Sequence, residues 1–110
     1  MTKHVLDIGN CAPDHRAIQS LIEGSFDARV TKASNADEAL TALRSGDFQL
    51  VLVNRRLDRD GSDGLELIRK IKSLPELSHT PVMMITDYSE YEQLAVQAGA
   101  VLGFGKSDLH

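Results

Sequence analysis

Phe48-Gln49-Leu50-Val51-Leu52-Val53-Asn54 is the stretch on which the fold turns. Residues 50–53 are apolar without alternation, so neither face of the strand they predict can meet water. A central strand in a parallel sheet covered on both sides has that property. Asn54 then ends the strand with an amide, and Arg55 and Arg56 open a polar loop. Open parallel sheets carry their function in the loops beyond the carboxyl ends of the strands, which makes Asn54 the centre of the search.

Outward from this strand, short apolar runs alternate with amphipathic stretches. Residues 5–8 read as a strand, and Pro13 and Asp14 open a helix with Ala17, Ile18, Leu21 and Ile22 on its inner face and Gly24 as its stop. Residues 28–31 make a short strand. Asn35, with Glu38 three residues on, reads as a capping box for a helix that buries Ala36, Ala39, Leu40 and Leu43 and stops at Gly46. A third helix runs from about Gly64 to Ser73 with Leu65, Ile68 and Ile71 inward. Pro81 leads a strand over residues 82–85, Ser89 and Glu92 cap a fourth helix bearing Leu94, Ala95 and Ala98, and residues 101–104 form the last strand. Strands alternating with helices give an α/β fold, and right-handed crossovers favour a flavodoxin-like, doubly wound parallel sheet of five strands in the order 2-1-3-4-5.

The 110 residues fit one domain, 1–110, able to bury a core without metal or disulfide. Twelve basic against sixteen acidic residues give a net charge of -4, which provides no footprint for direct contact with nucleic acid or an anionic membrane. Cys11 is the only cysteine, so no internal disulfide forms, and it is read as a packed or idle thiol. Without a secretory apolar segment after Met1, or a run long enough to span a bilayer, the expected location is the cytoplasm.

Five stretches in order then resemble the receiver domain of bacterial two-component response regulators. They are Pro13-Asp14-His15-Arg16, the strand over residues 48–53, Asp63-Gly64-Leu65-Glu66-Leu67-Ile68, Pro81-Val82-Met83-Met84-Ile85-Thr86, and Ala98-Gly99-Ala100 followed by Lys106. The resemblance implies a phosphorelay module in which an acidic pair and an aspartate hold Mg²⁺, the aspartate takes a phosphoryl group, and a Thr and a Lys bind its oxygens. Aligned on Pro13, the acidic pair falls at Gly9 and Asn10, the phosphoacceptor position at Asn54, and the retained pair at Thr86 and Lys106. Three further positions depart from the family. Asp87 replaces a small residue, Gly103 an aromatic switch, and Ser107 a proline, while the loop after Asn54 is about two residues longer than the family norm.

These departures share a physical sense, because a site of roughly three negative charges is tolerable only with a divalent cation. Here those positions are neutral, and Arg55 and Arg56 stand beside Lys106 as candidates for an anion. The reading is therefore an atypical receiver without catalysis, cofactor or metal, signalling through a protein partner or a second copy of itself. Alternatives are a conventional Mg²⁺-dependent receiver phosphorylated on Asp58 or Asp60, and a small-anion sensor. Acids placed at Gly9 and Asn10 are expected to help an aspartate at position 54 recover Mg²⁺.

The partner surface is expected on the fourth helix and last strand, at Glu90, Tyr91, Gln93, Gln97, Leu102 and Phe104, with Phe104 also a candidate for the domain's own core. The acidic loop of Asp58, Asp60, Ser62 and Asp63 reads as a turn in preference to a calcium loop, since the glycine an EF-hand needs at position six is Asp63. His4, His15, His79 and His110 lack ligand spacing and read as surface residues. Only four residues follow Lys106, so a fifth helix is expected to be missing or truncated.

Overall fold

The computed structural model describes residues 2–109, and His110 lies outside them. The elements are β1 (Lys3–Ile8), α1 (Ala12–Ser25), β2 (Ala28–Ala33), α2 (Ala36–Ser45), β3 (Leu50–Asn54), α3 (Gly64–Ser73), β4 (Val82–Ile85), α4 (Ser89–Gln97) and a 3-10 helix, Lys106–Leu109. β1, β3 and β4 pair in parallel with β2 outside β1, giving the order 2-1-3-4. The α/β flavodoxin-like architecture is as expected, and the register sets Asp7 beside Leu52 and Ile8 beside Val53.

Alternation along the strands divides the interior into two cores. Leu6, Ile8, Val51, Val53, Val82 and Met84 pack against α2, α3 and α4 on one face. On the other, Val5, Leu52 and Ile85 meet Ile18 and Ile22 of α1. β3 is buried on both faces, as its unbroken apolar run requires. Leu21 and Leu94, expected inside, are instead 45% and 38% exposed at the margins of their helices.

The fifth strand is where expectation and structure part. Among the described residues the sheet has four strands, and the last apolar stretch contributes a single parallel bridge, Met83 to Val101. Two carboxylates explain the break. Glu92 accepts the Gly103 N–H at 2.6 Å and Asp108 accepts that of Gly105 at 3.0 Å, so these amides are unavailable to a ladder. Glu92 is thus diverted from the capping role read for it with Ser89, and Tyr88 precedes α4 without a side-chain cap. At α2 the forward half of the predicted box forms, with the Glu38 N–H donating to Asn35 Oδ1, while the carboxylate of Glu38 reaches back past the cap to the Ser34 N–H.

Candidate functional site

At the carboxyl end of β3, Asn54 is nearly buried and donates from Nδ2 to the carbonyl of Gly9 at 3.0 Å. The same carbonyl accepts the Asp58 N–H at 2.9 Å, which folds the long loop back over the end of β1. Leu57, between two charged residues, is turned inward and fully buried. Its side chain fills the place where a Cβ on Gly9 would stand, and Gly9 itself has φ +76. The expectation that acids at Gly9 and Asn10 would help rebuild a metal site therefore fails at Gly9, on both sterics and backbone conformation.

The amide nitrogen of Asn10 is also committed, donating at 2.5 Å to the carboxylate of Asp7, while its Oδ1 is buried without a partner among the described residues. Asp7, the next-to-last residue of β1, is fully buried, and its other oxygen meets His15 Nδ1 at 2.6 Å. His15 is therefore not the surface histidine expected; its side chain is only 14% exposed. Sequence reasoning missed this cluster. Its one signal was an acid inside the apolar run Val5-Leu6-Asp7-Ile8. A buried carboxylate needs such partners, because an unpaired charge there would be costly.

The donor set does not fit Mg²⁺. Asn54 and Asn10 turn their amide N–H groups toward neighbours, and Leu57 covers Gly9. Among the described residues no group of three or more His, Cys, Asp or Glu is placed to hold a metal ion. Asp58 and Asp60 lie exposed on the outer arm of the loop. Asp60 accepts the hydroxyl and the amide of Ser62, at 2.7 and 2.9 Å, which holds its carboxyl below the usual range. Asp63 accepts the Leu65 N–H as the N-cap of α3. These are the contacts of turns.

Asn54, Arg55, Arg56, Thr86 and Lys106 do line one cleft of 460 Å³. Its cations are nonetheless engaged. The Arg55 guanidinium lies 4.6 Å from the ring centre of Tyr91 and 5.9 Å from that of Tyr88, Arg56 donates to the Gly61 carbonyl at 3.0 Å, and Lys106 pairs with Asp14 at 2.9 Å. Thr86 Oγ1 accepts the Tyr88 N–H at 3.2 Å and so finishes its own turn. Asp87 takes the amide and hydroxyl of Ser107, and the amide contact is the larger cause of its lowered pKa. Cys11 is free, half-buried, and makes no side-chain cap for α1.

The position read as an aromatic switch is closed as well. A Cβ on Gly103 would overlap the Met84 carbonyl, so the backbone lies too close to β4 for a side chain of any size. Gly64 is held in the same way against the Asn54 carbonyl, and its own N–H donates to the Arg55 carbonyl at 2.7 Å. Beside α4, Gln93, Gln97, Leu102 and Phe104 line a second groove. Glu90 stands exposed on the same helix outside that lining, while Tyr91 packs against the first core. Phe104 is half-buried against the second core, so it serves the fold as well as the groove.

The model of the family described as "Response regulator receiver domain" matches residues 12–107. Chemotaxis protein CheY-3 of Vibrio cholerae is 32% identical over 100 residues, 86% of this chain and 73% of that protein. Chemotaxis protein CheY of Pseudomonas aeruginosa is 27% identical over 97 residues, 86% of this chain and 77% of the other. A response regulator from Thermotoga maritima superposes with a TM-score of 0.77 at 28% identity, covering 96% of this chain and 83% of that one. NtrX from Brucella abortus gives 0.80 at 23% identity over 99% of this chain and 26% of that longer one, a likeness of fold.

Proposed function

Because this chain belongs to the family of response regulator receiver domains, we propose that it is an atypical member, a single domain over residues 1–110, that signals by docking on another protein without being phosphorylated. The observation that carries the reading is the hydrogen bond from Asn54 to the Gly9 carbonyl beneath Leu57. In this reading an amide stands at the phosphoacceptor position and a leucine covers the position of the first acid. An amide nitrogen has no carboxylate oxygen with which to attack a phosphodonor. Thr86 and Lys106 persist in this reading as structural remnants, one closing a turn and the other joining the last turn to α1.

The deciding experiment is incubation with a small-molecule phosphodonor and Mg²⁺ followed by intact mass. No mass gain is expected. A stoichiometric acyl phosphate mapped to Asp58 or Asp60 would transfer the reading to a conventional receiver. The small-anion alternative draws less support, because Arg55, Arg56 and Lys106 all have partners within the chain. Among the described residues no helix is long and apolar enough to cross a membrane, and for location we retain the cytoplasm.

A further inference from the structure

We infer that the cleft formed by the carboxyl ends of β1 and β2 and the loop after β3 binds a small zwitterion, an α-amino acid with a short side chain. This goes beyond the docking of a protein, and the cleft shares no lining residue with the one that holds Asn54, Thr86 and Lys106. Gly9, Asn10, Lys32, Ser34, Asp58 and Arg59 line its 190 Å³. Backbone hydrogen bonds tie the three segments together. The Gly9 N–H donates to the Ala33 carbonyl at 2.8 Å, and the Asp58 N–H to the Gly9 carbonyl at 2.9 Å. The walls are thus set by the fold before any ligand arrives, the usual condition of a small-molecule site.

The lining carries unmet hydrogen-bonding capacity. Asn10 is 1% exposed, and while its Nδ2 is spent on Asp7, its Oδ1 is buried with no partner among the described residues. An amide oxygen only accepts, so an N–H or O–H group is what completes it. The side chains of Lys32, Ser34 and Asp58 likewise make no hydrogen bond or ion pair among the described residues. Arg59 differs, since its guanidinium is bound to Glu38 at 3.2 Å.

Charge decides the class of ligand. With Arg59 offset by Glu38, the lining keeps one ammonium, on Lys32, and one carboxylate, on Asp58. A plain anion would meet Asp58 and a plain cation would meet Lys32, whereas a zwitterion sets each of its charges against the opposite one. The chain fixes which end goes where. Asp58 is bound through its N–H to Gly9 at the end of β1, beside Asn10, while Lys32 belongs to β2 and Ser34 follows it. The ligand ammonium therefore belongs beside Asp58 and Asn10, and its carboxylate beside Lys32 and the Ser34 hydroxyl. Neighbouring strands lie about 4.8 Å apart, so the two charges of the ligand must be within a few bonds of each other, as they are in an α-amino acid. The volume leaves room for a short side chain.

The test titrates the whole chain with glycine and with L-serine and follows amide chemical shifts. Three further probes each lack one feature. Glycolate has no ammonium, ethanolamine has no carboxylate, and glycine betaine keeps both charges but has no N–H to donate. Glycine or L-serine is expected to bind with shifts centred on residues 9–10, 32–34 and 58–59, and each of the three controls at least about tenfold more weakly. Lys32→Gln and, separately, Asp58→Asn should each weaken the amino acid about tenfold or more. Both residues are exposed, so neither variant disturbs the core. The absence of shifts with either amino acid at about 10 mM overturns the inference. So does equal binding of glycolate, ethanolamine or betaine, or binding indifferent to both variants. Shifts centred on Thr86 and Lys106 would give the ligand to the other cleft and would overturn it as well.

Discussion

The side chain of Leu57 occupies the space in which a side chain on Gly9 would begin, and the Leu57 Cα is 2.9 Å from that Cβ position. Gly9→Ala therefore meets both a filled core and a left-handed backbone. The left-handed conformation costs roughly 1–2 kcal/mol and overpacking roughly 1–3 kcal/mol. A loss of at least about 2 kcal/mol is expected in urea unfolding. A near-neutral result would mean that Leu57 swings out freely.

Asn54→Asp should restore neither phosphorylation nor Mg²⁺ binding. The substitution removes the donor to the Gly9 carbonyl and sets a carboxylate against that oxygen. Stability should fall by about 1–3 kcal/mol, the usual consequence of an unmade buried hydrogen bond. Isothermal titration with Mg²⁺ checks the first half, and tight binding by this single variant would contradict the account of the site.

His15→Ala should be among the most damaging substitutions on α1. It leaves the buried Asp7 carboxylate with Asn10 as its remaining side-chain partner. Leaving an oxygen of a buried carboxylate without its hydrogen bond costs about 1–3 kcal/mol, and the partial exposure of His15 points to the lower end. Thermal unfolding of the variant measures it.

Acid should loosen the turn after residue 104 through Asp87. Its folded pKa is lowered by Ser107, so the stabilisation is complete above the unfolded carboxylate value of about 3.9. It is lost as pH falls through the lower folded value. The urea midpoint of the wild type should thus drop more steeply than that of Asp87→Asn as pH falls below about 4. Parallel curves would show that the Ser107 contacts contribute nothing.

Much of this architecture was legible from spacing alone. α3 begins at Gly64 and ends at Ser73 because Leu65, Ile68 and Ile71 recur at helical period behind the Asp63 cap, all local information. The fifth strand was not legible. Its ladder is broken by Glu92, eleven residues before Gly103 and on another element, and no pattern within residues 101–104 carries that fact. At the site, the neutral residues were plain in the sequence, and the cleft does gather Asn54, Thr86 and Lys106. The roles of Asp7, His15 and Leu57 depend on tertiary contacts, so each had only a weak local sign: an acid among apolar residues, or a leucine among charged ones.

Lys106 and Asp14 are joined across 92 positions of chain. Such a contact requires the whole length between to be threaded first, so in folding it belongs after the barrier, when the adjacent β–α units have already paired. Lys106→Met is accordingly expected to hasten unfolding in stopped-flow measurements while leaving the refolding rate nearly unchanged. The link would then act as a latch on the finished molecule, setting how long it stays closed and having no say in how quickly it forms.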